Sequence, residues 1–109
     1  MVPTLNQVPN GFQNVAYTGT AGTSTPVASY DASKKYVNLR LCSSSDCYYL
    51  VVAQNLPLGT VVVASAAVGS YLPAFTVEYI RVPERAVISV VQASAAGTLN
   101  ITVMQDVTY

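Results

Sequence analysis

The stretch Tyr36-Val37-Asn38-Leu39-Arg40-Leu41 indicates the fold class of this 109-residue chain. Its aliphatic residues occupy every second position, and a period of two is typical of a strand with one buried face. Four turn-forming residues, Ser43-Ser44-Ser45-Asp46, come next. Residues 47–54 are almost continuously apolar or aromatic, which predicts a second strand covered on both faces. Together these segments predict a β-hairpin with a loop of about four residues.

The same pattern of short strands continues towards the C-terminus. Runs rich in β-branched or aromatic residues occupy positions 60–66, 76–82, 86–92 and 98–105, whereas residues 69–74 are expected to form a loop. No helical periodicity extends beyond one turn. The spacing therefore predicts an all-β fold, an antiparallel β-sandwich that is jelly-roll-like or a small barrel.

The N-terminal region has the composition of an extended arm. Six glycines and prolines lie among Thr, Ser, Asn and Gln, and apolar residues occur singly. A short strand is expected around residues 14–19, with the rest running extended over its own domain or over a neighbour. The predicted organisation is an N-terminal arm over residues 1–30 and a β-sandwich domain over residues 31–109.

Charged side chains are few and balanced, with five basic residues, five acidic residues and no histidine. Nucleic acid is not an expected partner, because its binding needs a basic excess. A membrane span is not expected either, since no apolar run approaches about 20 residues. The N-terminus shows no secretory signal, so synthesis in a cytoplasm is expected. Without histidine, and with carboxylates dispersed along the chain, we expect no enzyme and no cofactor.

The chain has two cysteines, Cys42 and Cys47. They cannot complete a zinc site within one chain, which needs three or four ligands. A disulfide that closes the hairpin loop is one interpretation. Two reduced, partly buried thiols that flank a turn are the other, and a cytosolic origin favours this second interpretation.

Eight tyrosines supply large contact areas with a polar tip, which suits protein interfaces and sugar-stacking platforms alike. The alternative is that half of them simply cover the sheet. A surface with so few charges is easily buried against copies of itself, so an oligomer is expected. The candidate partner-binding residues are all aromatic: Phe12, Tyr17, Tyr71, Phe75 and Tyr109.

The segment Leu72-Pro73-Ala74-Phe75-Thr76-Val77-Glu78-Tyr79-Ile80-Arg81-Val82-Pro83, with the runs at 86–91 and 95–104, resembles small virion proteins of tailed bacteriophages and prophages. In that group a Leu-Pro-Ala loop, an acidic-aromatic strand, a Val-Ile strand and a Gly-Thr-Leu-Asn ending occur in this order. The resemblance covers residues 36–104. It implies a capsid decoration or cement protein, commonly a homotrimer, that binds the major capsid protein on the outer surface of the head and stabilises the contacts between its subunits. The arm, with Phe12 and Tyr17, is hypothesised to lie along the shell or an adjacent subunit, by strand addition or groove filling.

Three other functions stay open. Another virion part, such as a head–tail connector, tail or fibre component, shares this composition. A carbohydrate-binding β-sandwich would use Tyr71, Phe75 or Tyr109 as stacking platforms. An enzyme would need carboxylates such as Asp31, Glu78 or Asp106 to meet in a cleft.

Overall fold

The computed structural model describes residues 7–28, 35–53 and 63–104, and the regular structure in these ranges is entirely β-strand. The described residues form eight strands: β1 (Gln7–Tyr17), β2 (Gly22–Thr23), β3 (Tyr36–Ser43), β4 (Cys47–Val52), β5 (Ser70–Leu72), β6 (Glu78–Pro83), β7 (Val87–Gln92) and β8 (Gly97–Met104). The predicted all-β class is confirmed.

The strands form two four-stranded antiparallel sheets that pack together. Sheet A has the order β1-β8-β3-β6, and sheet B has the order β2-β7-β4-β5. The neighbours β1/β8, β2/β7, β3/β6 and β4/β5 are the pairs of one long antiparallel hairpin. Rolling that hairpin up brings β8 beside β3 and β7 beside β4, which is the jelly-roll arrangement. The predicted sandwich is therefore of the jelly-roll type.

The core lies between the two sheets and follows from the alternation along each strand. In β3 the buried residues are Val37, Leu39 and Leu41, as the period of two predicts. Ile88 and Val90 of β7 face them from sheet B. Full burial of one such aliphatic side chain contributes about 1.5–3 kcal/mol. One continuous apolar cluster thus holds the two sheets together.

The described part of the N-terminal segment belongs to this sandwich and not to a separate arm. β1 is an edge strand of sheet A, and β2 pairs with β7. Tyr17 and Val27 are buried in the core, and the Val27 N–H donates to the Ala86 carbonyl oxygen at 2.9 Å. The predicted boundary at residue 30 therefore does not separate residues 7–28 from the domain. Residues 1–6 and 29–30 of the predicted arm lie outside the described residues.

The connection from β4 to β5 differs from the sequence prediction. Residues 63–66, the described part of the run expected to be a strand, form no strand. Instead Ala64 is buried, and its N–H donates to Ser89 Oγ at 2.9 Å on the outer face of sheet B. Part of the expected loop at 69–74 forms β5. Ala64 therefore covers sheet B without joining it as part of a strand. Sequence periodicity alone does not distinguish an apolar residue that covers a sheet from one that lies in a strand.

Two tight turns hold a non-glycine residue at positive φ. The turns are Pro73-Ala74-Phe75-Thr76 and Pro83-Glu84-Arg85-Ala86, each closed by a bond from the fourth N–H to the first carbonyl, at 3.3 Å and 3.2 Å respectively. Their third residues, Phe75 and Arg85, have φ of 58° and 66°. A type II turn normally has glycine at this position. The Arg85 N–H also donates to Val27 O at 2.7 Å, so this turn fastens the segment after β2.

Candidate interaction surface

Four connections meet at one end of the jelly roll, because successive strands of the rolled hairpin alternate in direction. They are residues 18–21, 44–46, 73–77 and 93–96, and we call this the loop end. The turn between β3 and β4 lies at its centre. The Phe75 N–H donates to Ser43 O at 2.8 Å, and the Ala93 N–H donates to Asp46 O at 3.1 Å. The loop end is therefore one hydrogen-bonded unit.

The Tyr17 hydroxyl fixes the inner side of the loop end. It donates to Ser45 O at 2.9 Å and lies 2.5 Å from Ser43 Oγ. Burial raises the pKa of Tyr17 above its ordinary value. A Cβ added to Gly97 would lie 2.6 Å from this hydroxyl oxygen, so the site requires glycine. Tyr17, predicted to contact a partner, is only 2% exposed and supports the loop end from within.

The turn from Pro73 to Thr76 forms the outer side of the loop end. The Ala74 N–H donates to Asp46 Oδ1 at 2.8 Å, and the Phe75 N–H is held by Ser43 as described above. Two successive amides are thus fastened to the β3–β4 turn. Phe75 keeps its positive φ because the surrounding structure fixes it there.

Three exposed apolar side chains lie at alternate positions from this turn into β6, and they include the two most exposed large apolar side chains of the described residues. Phe75 is 78% exposed, Val77 39% and Tyr79 67%, and we call these three residues the apical strip. Tyr79 lies on β6, the edge strand of sheet A. The basic residue two positions further along, Arg81, stacks on the Tyr36 ring, with its guanidinium carbon 4.1 Å from the ring centroid. The strip itself is uncharged.

Tyr71, a further predicted contact residue, lies on the other sheet. It is about half exposed on β5, opposite Tyr48 of β4, and the two ring centroids are 5.6 Å apart with the planes tilted by 54°. A hydrogen bond to the Asp46 carboxylate raises the pKa of Tyr71 above its ordinary value. Asp46 therefore links the turn from Pro73 to Thr76, which we call the tip turn, to the Tyr71 ring.

Glu78 lies beneath the apical strip and joins the two sheets. On β6 it faces inward, and its Oε1 accepts a hydrogen bond from the hydroxyl of Tyr49 on β4. Burial raises the pKa of Tyr49 well above its ordinary value, and the Glu78 carboxylate adds to the effect. Glu78, one of the carboxylates considered for catalysis, thus has an inter-sheet structural contact.

The remaining predicted residues are not brought together. Phe12 is about half exposed on β1, at the edge of sheet A opposite β6. Tyr109 lies outside the described residues. Both cysteines are free thiols: Cys47 is fully buried in the core, and Cys42 is half-buried on the outer face of sheet A. Burial raises the pKa of the Cys47 thiol. No disulfide is formed between these two positions.

Sequence reasoning did not find Val77, Tyr79 or the role of Asp46. In the segment 75–82 both alternate sets contain apolar residues, so the pattern does not say which set faces outward. Asp46 ends a run of turn residues, where a carboxylate commonly accepts backbone N–H bonds. The position of Asp46 in a turn therefore predicts that it accepts a backbone N–H bond. It does not identify the donor, Ala74, which lies 28 residues away.

Among the described residues, no group of three or more His, Cys, Asp or Glu side chains could hold a metal ion. No helix in that part of the chain is long and apolar enough to cross a membrane. Comparison with protein families, curated proteins and solved structures gives no match.

Proposed function

We propose that this protein is a structural virion protein of a tailed bacteriophage, a decoration or cement protein that binds the outer surface of the head. The observation that carries the proposal is the apical strip, an uncharged apolar surface displayed on a rigid loop end. The sequence resemblance is the reason for proposing a phage head as the binding partner. The apical strip is the surface proposed to make the contact. The major capsid protein is the proposed partner, and a homotrimer is the proposed assembly.

The fold is compatible with this function without selecting it. Jelly rolls occur in viral coat proteins and also in lectins, so the architecture carries only an analogy. The apical strip supports the proposed function more strongly than the fold does. The largest exposed apolar patch on a small domain is often a functional site. A chain with balanced charges also meets little electrostatic repulsion when many copies lie close together.

The proposed mechanism is additive stabilisation. A protein that binds the assembled shell, and not its separated subunits, shifts the equilibrium towards the assembled state by the free energy of binding. Contacts that are weak one at a time become strong when several copies or several subunits are linked. Rigid loops favour this role, because little conformational entropy is lost on docking.

The number of copies per particle tests the proposal. Quantitative mass spectrometry of purified virions should find this chain in hundreds of copies, as a surface protein of the head requires. A dozen copies or fewer would place it in the connector, tail or fibre base and contradict the decoration function. Heads that lack the protein should also break at lower temperature, and adding the purified protein should restore their stability.

A carbohydrate-binding function is favoured by one separate observation, the half-exposed Tyr71 ring paired with Tyr48. Aromatic faces of this kind stack on sugar rings. A glycan array would show specific binding that is lost in Tyr71→Ala and kept in Phe75→Ala. Binding lost in neither variant would reject this candidate site.

A further inference from the structure

Phe75 combines two unfavourable features. Its side chain is 78% exposed, the largest exposure among the apolar residues of comparable size in the described ranges. Its backbone has φ of 58°, which for a bulky residue costs on the order of 1 kcal/mol or more. Glycine would satisfy the same turn without this cost. The isolated chain gains little from phenylalanine at this position, which points to a contact outside the chain.

The geometry of the loop end also makes Phe75 suitable as an anchor. Its own N–H is bonded to Ser43, and the preceding amide is bonded to the Asp46 side chain. The ring is therefore presented on a backbone that is already ordered. Residues that dominate binding energy are commonly aromatic side chains that fill a pocket in the partner, and a preorganised anchor loses less entropy on docking.

We propose that Phe75 inserts into an apolar pocket of the shell subunit, with Val77 and Tyr79 packing around the entrance to that pocket. This inference rests on the proposed function and names the contact that carries it. The centre of the pocket is expected to be uncharged, because Phe75 and Val77 carry no charge. The nearby Arg81 is engaged by Tyr36 and by Asn38, whose Oδ1 accepts from Arg81 Nε at 3.0 Å. Arg40, the cross-strand neighbour of Tyr79, places one positive charge at the rim of the strip.

The size of the strip favours an arrayed partner over a second copy of this chain. At about 200 Å² for a fully exposed aromatic side chain, the strip offers on the order of 350 Å². A stable pairwise interface buries about 800 Å² on each side. The strip alone is therefore too small for a stable homodimer. It suits a contact that is repeated over a lattice of identical subunits, where several strips act together.

The test measures co-sedimentation of the purified protein with phage particles assembled without it. The variants are Phe75→Gly and, as a control, Val68→Ala, since Val68 is also about half exposed but lies in the β4–β5 connection at the opposite end of the sandwich. Phe75→Gly should fold with an unchanged or higher melting temperature, because glycine accepts positive φ. It should bind particles at least about tenfold more weakly than the wild type, as expected for an anchor residue. Val68→Ala should bind normally.

The outcomes separate this inference from the proposed function. If all three proteins bind equally, Phe75 is not the anchor, while the decoration function stands. If the wild type does not bind particles, the decoration function fails and the inference fails with it. If the wild type instead self-associates in a manner that depends on Phe75, the occupant of the strip is a second copy, which overturns the proposed pocket.

Discussion

The Phe75 amide donates a hydrogen bond to the Ser43 carbonyl oxygen at 2.8 Å, which joins the tip of the β5–β6 connection to the end of β3. These residues are 32 positions apart in the sequence. Ser43 ends β3, and Phe75 lies in the connection between β5 and β6. The bond means that Phe75, the most exposed aromatic residue in the described ranges, lies on a backbone held by hydrogen bonds. The contribution of each loop-end contact to the free energy of unfolding can therefore be measured by substitution.

The Asp46 side chain is expected to hold the tip turn in place. Asp46→Ala removes the acceptor of the Ala74 N–H bond and should lower the free energy of unfolding by about 1–2 kcal/mol. Asp46→Asn keeps an oxygen acceptor and should lose distinctly less. Urea denaturation of the three proteins measures the difference. Equal losses in the two variants would show that the charge, and not the hydrogen bond, stabilises the turn.

Gly97 is expected to be irreplaceable by alanine. An added Cβ would lie 2.6 Å from the Tyr17 hydroxyl oxygen and 2.9 Å from Ser44 Oγ. Overpacking of this kind costs about 1–3 kcal/mol. Gly19→Ala is the matched control, because its Cβ would meet nothing closer than 3.8 Å. Thermal unfolding should show a clear drop for Gly97→Ala only, and similar melting temperatures for both variants would refute the packing of Tyr17 against Gly97.

Arg85→Gly is expected to stabilise the fold. Arg85 has φ of 66° in the turn that precedes β7, and glycine removes that backbone cost. The gain is partly offset by the greater entropy of glycine in the unfolded chain, so the net effect should be below about 1 kcal/mol. Arg85→Ala removes the same side chain but keeps the strained backbone, and it should show no gain. A gain in both variants would assign the effect to the lost charge.

Stability should decline above about pH 10, the ordinary pKa of tyrosine. Tyr49 and Tyr17 both have raised pKa values in the folded state, so the unfolded chain loses their protons first as the pH rises. Their contribution is complete below pH 10 and is lost as the pH rises towards the folded pKa. Tyr49→Phe should therefore flatten the decline, as measured by urea denaturation between pH 9 and 11. An unchanged slope in this variant would contradict the burial of the Tyr49 hydroxyl beside Glu78.

The sequence predicted the strands correctly where apolar and polar residues alternate regularly. Val37, Leu39 and Leu41 lie in the core and alternate with more polar neighbours, and the alternation of Leu99, Ile101 and Val103 in β8 was equally clear. Prediction failed where the pattern permits two structures. Ala64, in the described part of a run expected to be a strand, covers sheet B from outside. The length of β1 was underestimated because the Gly and Pro within it suggested an arm.

The candidate surface was predicted only in part. Phe75 and Tyr71 were selected because exposed aromatic residues suit interfaces, and both are exposed. Tyr17 was selected on the same ground and is buried, because residue type does not reveal which face of an edge strand is inward. The contacts between Asp46, Ser43 and the tip turn depend on tertiary structure that brings distant turns together.

The central claim is that the loop end of this jelly roll attaches to the outside of a phage head. Electron cryomicroscopy of heads assembled without the protein and then incubated with it tests this claim most directly. The expected map shows added density over the whole outer surface, with the loop end and Phe75 against the shell. A map with no added density on the shell, or with density only at the tail, would contradict the account.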